Sequence, residues 1–350
     1  MRILLIGNFA PPYDEESLCN LSLLKRLTEE GNDCRVINTS ENPAKVKGFI
    51  NAKTYLGFVP KLIRYAWKSD VIHCLTKGYT RLGLLKLMTS TLVSRLFRLK
   101  SIITLHSELF SIIGQMRSKV GGEQAVYLSF SLAHKIIITD KDTYEVASKF
   151  KKKDNFTLNP SFINIPEYAK DNEPIALKKL KDKKKVIVFS NVRFPSFLFE
   201  ILHSFLSKPP DPDIGIVVSL SEKLSAKLQH VIEEAGKLQA ENLIFISPED
   251  MQMLSIAYAR ADIILRPLSC DGKIFFSGFA ISCKRPVRSG NYLYFPNSML
   301  VVKEGEIAEL CTSIIDTLLT ENADRARFQK EQPEPAAEDF YSRIKEIYSE

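Results

Sequence analysis

The sequence predicts an α/β protein of two doubly wound, Rossmann-like domains facing a cleft. Three observations predict it. Short apolar, β-branched runs alternate with segments of helical period along most of the chain. The alternation runs twice, broken at residues 159–174 by NPSFINIPEYAKDNEP, which carries three prolines and few helix formers. The chain has 350 residues, and domains of about 100–200 residues make that two.

The elements follow in order. RILLIGNF reads as a strand, and its near-continuous apolar run suits a parallel sheet covered on both faces. ESLCNLSLLKRLTEEG reads as an amphipathic helix with Leu18, Leu21, Leu24 and Leu27 on one face and Gly31 as its stop. CRVINTS, VIHCL (71–75), SIITLH (101–106) and KIIITD (135–140) are further strands of a first domain, 1–165, with helical segments between them. Residues 159–174 read as the linker. A second domain, 175–330, repeats the pattern with KKVIVFS (184–190), a helix through SFLFEILHSFL, IGIVVSL (214–220) and a helix through EKLSAKLQHVIEEAGKL. NLIFIS (242–247), the helix MQMLSIAYARA, the strand DIILRP, a helix around 276–284 and the strand MLVVK complete it. The final EDFYSRIKEIYSE is amphipathic, with Phe340, Ile344 and Ile347 on one face, and needs a partner surface on either half.

Composition excludes several classes. Apolar residues make up 45% and charged residues 25%, as in an ordinary soluble globular protein. The net charge of +7 is uneven, concentrated in KFKKKD (149–154) and KKLKDKKK (178–185). A solvated linker face accounts for these runs; an anionic membrane surface or a polyanion is the alternative. No aromatic-interleaved basic stripe or zinc spacing supports nucleic-acid binding. The six cysteines form no C-x-x-C pair and read as reduced, packed thiols of a cytosolic protein. The N-terminus has no signal-peptide pattern, and no run reaches the ~18 apolar residues of a membrane span.

Open parallel sheets bind ligands outside the carboxyl ends of their strands, so the residues there are the candidates. After the first strand, GNFAPPYDEES holds only Gly7, so neither a dinucleotide fingerprint nor a Walker loop is present. His106, at the end of SIITL, can act as a general base, bind an anion or donate to a sugar hydroxyl, or can be a satisfied structural residue. His73 sits within an apolar strand and reads as core, and the five histidines have no metal-ligand spacing. Asn191 and Arg193 follow KKVIVFS, where an arginine can fork onto a diphosphate or remain a surface cation. Ser219, near the end of IGIVVSL, and Ser221 can bond to a ligand or cap a helix, with capping the reading for Ser221, and Ser247, ending NLIFIS, is a further ligand candidate. Arg266, Asp271, Gly272 and Ser277 follow, beside an expected helix N-terminus that can hold a phosphate or sugar hydroxyls. Phe275, Phe276 and Phe279 read as core packing rather than a stacking platform.

Taken in order along nearly the full length, these residues resemble the retaining GT-B glycosyltransferases, particularly glycosyltransferase family four. MRILLIGNFAPP with LTEEGNDCRVI, SIITLHSE, AHKIIITDKDTYE, LNPSFIN with Pro160, YARADIILRPLSCDG with KRPVRSG, and FYSRIKEIY are each similar to a family segment. The resemblance implies a sugar transferred from a nucleotide-sugar donor, UDP- or GDP-linked and held mainly by the C-terminal half, to an acceptor held mainly by the N-terminal half. It implies no separate cofactor. It places His106 on the acceptor side as a catalytic residue together with Asp271, and it places Asn191, Arg193, Ser219, Ser247, Arg266, Gly272 and Ser277 around the donor. It also implies that helix 337–350 braces the N-terminal domain. The family's two acidic residues eight positions apart are not both kept: the first aligns with Asp271, the second with Phe279. The lysine following the family's arginine falls on Leu198, and its glycine pair on Glu16 and Ser17. A phenyl ring cannot accept a ribose hydroxyl's hydrogen bond, and losing a charge-assisted contact costs ~1.5–3 kcal/mol.

Two function classes therefore remain open. One is a hexosyltransferase-type enzyme with a diverged site, acting on a glycan or lipid-linked acceptor in surface-polysaccharide assembly. The other is an inactive GT-B protein that scaffolds a partner transferase or binds glycan. An epimerase-type GT-B protein would require a carboxylate-rich acid/base site that the sequence does not show. TRLGLLKLMTSTLVSRLFRLK (80–100) mixes leucines with Arg81, Lys86, Arg95, Arg98 and Lys100 and has no acid. It reads as an interfacial helix on the inner face of a membrane or as a core helix with snorkelling cations. KLIRYAWKS (61–69), with Trp67, leans towards the membrane.

Overall fold

The computed structural model describes residues 1–9, 13, 15–40, 45–76, 81–106, 122–139, 144, 155–159, 162–164, 175–180, 182–189, 213–220, 229, 233, 242–247, 249–268, 278–284, 287–289, 292–294, 297–303 and 337–350. The chain divides into two compact units, the first formed by Met1–Asn164 and Asp339–Glu350, the second lying between Ile165 and Glu338.

In the first unit, seven strands form one sheet: β1 (Arg2–Gly7), β2 (Asp33–Asn38), β3 (Phe49–Asn51), β4 (Val71–Thr76), β5 (Lys100–Leu105), β6 (Lys135–Ile138) and β7 (Phe156–Leu158). Their order is β3-β2-β1-β4-β5-β6-β7, and every pairing is parallel. Because a strand's side chains alternate between faces, apolar runs such as Ile3–Leu4–Leu5–Ile6 serve both. One face carries Leu4, Ile72, Ile103 and Ile136 and is covered by α2 (Tyr55–Ala66), α3 (Arg81–Leu96) and α4 (Gly122–Leu132), which contribute Phe58, Leu62, Leu84, Leu87 and Phe130. α3 packs between the other two.

The opposite face receives the last helix, α7 (Ala337–Ser349). Its Ile344, Ile347 and Tyr348 are buried, each such side chain contributing ~1.5–3 kcal/mol when removed from water. Tyr348 Oη lies 2.5 Å from Nδ1 of the fully buried His73, whose Nε2 lies 2.7 Å from Thr104 Oγ1. His73 is thus a core residue with both ring nitrogens engaged. Lys100 Nζ donates to the Tyr348 carbonyl and Lys135 pairs with Glu350. α7 also meets α1 (Glu15–Glu29), with Arg26 stacked over Tyr341.

Residues 159–174, read as a linker, begin with ordered structure. β8 (Phe162–Asn164) buries Phe162 and Ile163. Asn164 donates its backbone N–H to Ser22 Oγ, and the Phe162 ring lies 4.2 Å from that of Tyr341. The prolines misled the reading because Phe-Ile between them is apolar enough to find the seam between α1 and α7.

The second unit contains β9 (Lys185–Phe189), β10 (Ile214–Ser219), β11 (Leu243–Ile246), β12 (Ile263–Leu268), β13 (Gly278–Lys284) and β16 (Asn297–Lys303) in one sheet of order β11-β10-β9-β12-β13-β16. β14 (Val287–Ser289) and β15 (Tyr292–Tyr294) form an antiparallel pair. The four strands from β11 to β12 are parallel, whereas β13 and β16 run antiparallel. This corrects one expectation: residues 278–284 are a strand, not a helix. GFAISCK alternates Phe279, Ile281 and Cys283 with small or polar residues, a period of two that suits a strand. α5 (Ile175–Lys178) and α6 (Met251–Arg260) accompany this sheet, joined by Arg260 donating to the Leu177 carbonyl. α6 starts at Asp250, whose carboxylate accepts the Met253 N–H. Within the basic run 178–185, Lys183 donates to Asn242 and Lys184 and Lys185 pair with Asp213 and Asp262. The run 149–154 and the helices read through SFLFEILHSFL and EKLSAKLQHVIEEAGKL lie outside the described residues, apart from Gln229 and Glu233.

No helix among the described residues is long and apolar enough to cross a membrane. Of the cysteines, Cys19, Cys34 and Cys74 are free thiols, and burial pushes Cys74 up to about 12. Among the cations of 80–100, Lys86 does not snorkel: it is buried, and its Nζ donates to the carbonyls of Ala52 and Lys53 at 2.9 and 3.0 Å. Lys86→Met should leave those carbonyls short of a donor. It is expected to lose ~1–3 kcal/mol and to lower the thermal midpoint by several degrees.

Candidate functional site

In the first sheet the strand order reverses between β1 and β4, where doubly wound sheets hold ligands outside the strands' carboxyl ends. A connected group of polar side chains occupies that end. Asn8 follows β1, Asn38 ends β2 with Thr39 and Ser40 behind it, His106 follows β5, and Glu16 and Asn20 come from the first turns of α1.

Asn20 is the hub and has no solvent exposure. Its Nδ2 donates to the Asn8 carbonyl at 2.8 Å, and its Oδ1 lies 3.0 Å from His106 Nε2. With the amide's N–H spent on Asn8, its oxygen accepts, so Nε2 of His106 carries the proton. In the uncharged form of the ring, Nδ1 would be the accepting nitrogen. The backbone N–H of His106 is tied to the Thr76 carbonyl at 3.0 Å, so both ends of the residue are held.

Asn38 does for the loops what Asn20 does for the histidine. Its amide exchanges hydrogen bonds with the backbone of Phe9 at 3.1 and 2.9 Å, and its Oδ1 accepts from Ser40. A fully buried asparagine with these partners satisfies backbone groups that would otherwise be stranded. Asn8 in turn accepts from Thr39 Oγ1 at 3.3 Å and reaches Glu16 Oε2 at 3.4 Å. Glu16 is buried in the first turn of α1, where a carboxylate complements the positive end of the helix dipole. That end thus carries its own anion, so the arrangement favours a neutral, hydroxyl-bearing ligand over a phosphate.

The predicted residues fall as follows. His106 lies in this cluster. Ser219 is the last residue of β10 and is buried; Ser247 follows the neighbouring β11, is exposed, and accepts the Glu249 N–H on its Oγ. Arg266 lies inside β12, opposite Ser282 of β13, rather than beyond a strand end. Asn191, Arg193, Asp271, Gly272 and Ser277 lie outside the described residues. Among the described residues, no group of three His, Cys, Asp or Glu side chains could hold a metal ion. Sequence reasoning passed over Asn8, Asn20 and Asn38. The available signal was uncharged polar residues at the ends of apolar strands and on the leucine-rich side of a helix.

No family model and no curated protein matches the chain by sequence. Solved structures do match by shape. HepE of Anabaena, solved in complex with UDP and glucose, is 15% identical with a TM-score of 0.51, over 75% of this chain and 73% of its own. S. aureus MnaA, solved with UDP, is 15% identical with a TM-score of 0.50, over 77% of this chain and 75% of its own. The likeness shows the fold, an α/β architecture of Rossmann-like sheets shared with GT-B proteins.

Proposed function

We propose that this GT-B protein is a glycosyltransferase, diverged from family four, that moves a sugar from a UDP- or GDP-linked donor to a glycan or lipid-linked acceptor in surface-polysaccharide assembly. One observation carries the reading most: His106 follows β5, one strand from the reversal point of a parallel sheet, and its Nε2 is held by a buried asparagine. An imidazole held in this way can meet an acceptor hydroxyl. Within the proposal, the second unit takes the nucleotide, with Arg193 on the diphosphate. The UDP held by HepE and MnaA supports a nucleotide-diphosphate donor for this chain.

The test is a thermal-shift screen over nucleoside diphosphates and their sugars, because a ligand that binds the folded state stabilises it by mass action, ~2.7 kcal/mol at a hundredfold excess over Kd. One nucleotide sugar should stabilise selectively. Arg193→Ala should weaken that binding about tenfold to a hundredfold, as expected for losing a charge-assisted bond. No stabilisation by any nucleotide sugar at millimolar concentration would sink the reading.

A second reading is favoured by the strand at Gly278–Lys284, where the sequence pattern predicts a helix whose N-terminus would hold the donor, and by Phe279 in place of the second carboxylate. In that reading the chain is a non-catalytic relative that scaffolds a partner transferase or binds glycan. It expects co-purification with an active transferase and no loss of function in Asp271→Asn, whereas the first reading expects that variant to lose transfer.

A further inference from the structure

We infer that α7 is a positioning element of the polar site: its Tyr348 and Tyr341 set where His106 and Asn20 stand, through β5 and through α1. The inference concerns the first unit alone and holds whether the cluster serves a transferred sugar or a bound glycan.

The first route runs along β5. Side chains alternate along a strand, and Ile103 and Leu105 belong to the core under α2, α3 and α4. Thr104 and His106 therefore lie on the other face, the one that receives α7. On that face Tyr348 Oη meets His73 Nδ1, His73 Nε2 meets Thr104 Oγ1, and His106 stands two residues beyond Thr104. Tyr348, His73 and Thr104 are all buried. They interrupt runs that are otherwise apolar, VIHCL and SIITL. A buried polar row is costly unless its members bond to one another, and when they do it fixes one arrangement. Apolar side chains of like volume would fill the space without that demand, so packing alone does not call for these residues.

The second route runs through α1. Tyr341 is buried, its Oη reaches the Ser22 carbonyl at 3.4 Å, and Arg26 stacks over its ring. Ser22 Oγ accepts the Asn164 N–H at 2.7 Å and donates to the Leu18 carbonyl at 2.8 Å. The Phe162 ring packs 4.2 Å from that of Tyr341. Ser22 is two residues from Asn20, and residues so spaced face different ways on a helix. α7 thus grips one side of α1 while the other side carries the asparagine hub, and it fixes the helix without entering the site.

The routes leave α7 from Tyr341 near its start and Tyr348 in its last turn. They arrive at the two partners of one contact, Asn20 Oδ1 and His106 Nε2. A displacement of α7 therefore moves both sides of that contact.

The test is NMR of the full chain, read at the ring carbons of His106 and at hydrogen exchange of its backbone N–H, which is bonded to the Thr76 carbonyl. Tyr348→Phe keeps the ring and removes the hydroxyl. Tyr341→Ala removes the contacts to Phe162, Arg26 and Ser22. Each should move the His106 ring signals and speed exchange of that N–H about tenfold, the scale of losing one buried hydrogen bond. Lys86→Met is the control. It loosens the same sheet from the opposite face and should leave the His106 signals in place. If Tyr341→Ala does not fold, Tyr348→Phe decides. A response to one tyrosine alone supports the inference and assigns the positioning to that route. Unmoved His106 signals and exchange in the tyrosine variants overturn it. So does an equal response in Lys86→Met, which would make the effect a general loss of stability. No ligand enters the measurement, so failure here is separable from failure of the transferase reading.

Discussion

Acidification from pH 7 is expected to destabilise the first unit with a slope that His73 sets. His73 is fully buried between Tyr348 Oη and Thr104 Oγ1. Burial, with His106 nearby, holds its folded pKa down at about 3, against an ordinary 6.5. Above pH 6.5 the ring is neutral in both folded and unfolded chains, so it adds no pH dependence there. Between pH 6.5 and about 3 the unfolded chain takes up a proton that the folded one refuses. Stability therefore falls as pH falls, by ~1.4 kcal/mol per unit, or roughly 3 kcal/mol by pH 4.5. The contact at stake joins the last helix to the sheet, so α7 should detach early. Urea midpoints of parent and His73→Gln from pH 7 to pH 4.5 provide the check. The variant lacks a titrating ring and should be less stable at pH 7 but flatter with pH. Equal slopes would show that the acid sensitivity belongs to carboxylates instead. Tyr348→Phe gives a second view: it removes one partner of a buried ring nitrogen and should lose ~1–3 kcal/mol at pH 7.

The sheets were legible in the sequence because parallel strands buried on both faces leave an unmistakable apolar run. RILLIG, VIHCL and SIITL became β1, β4 and β5 almost as read. The first helix was legible as a helix but not in its rotation. Of its leucines 18, 21, 24 and 27, Leu18 and Leu27 are buried and Leu21 and Leu24 only half-buried, and Glu16, Ser17, Cys19 and Asn20 are buried beside Leu18. The first turns are therefore buried all round, polar residues included, because there the helix enters the polar cluster at the end of the sheet. A pattern reader that equates polar with outside misses that burial. The short strands were lost for another reason. β3, β7 and β8 have three residues each, too few to show a period. β13 was lost to the expected alternation of strand and helix, which put a helix after DIILRP where the period of two in GFAISCK spoke for a strand. Of the apolar side chains exposed on α2 and just after it, Ile63 and Trp67 fall in KLIRYAWKS, whose lean towards a membrane was legible, whereas Leu56 carried no sequence signal.

Gly7→Ala is expected to cost more than any surface change and to disable the site from a distance. A Cβ at Gly7 would lie 2.6 Å from the Leu75 carbonyl oxygen and 2.9 Å from Leu75 Cβ. The nearest obstacle is backbone, in the strand beside β1, so no side-chain rotation relieves it. Overpacking of this kind costs ~1–3 kcal/mol. The strain must move either β4 or the end of β1. If β1 moves, it carries the Asn8 carbonyl, and with it Asn20 and His106. The Thr39 N–H bond to the Gly7 carbonyl, 2.8 Å long, moves too. A glycine is therefore required here by close approach, although its φ is not in the left-handed region. Gly31 is the contrast. Its φ is 82° and nothing lies within 4 Å of an added Cβ, so Gly31→Ala should lose ~1 kcal/mol from backbone strain and leave the site alone. Thermal melts of the two variants, with ring chemical shifts of His106 in each, separate the cases. Gly7→Ala should shift the His106 signals and Gly31→Ala should not. A Gly7→Ala protein with the parent's melting temperature and unchanged His106 signals would mean that the approach of β1 to β4 is looser than 2.6 Å implies, and that the asparagine hub does not transmit from the strand end to the histidine.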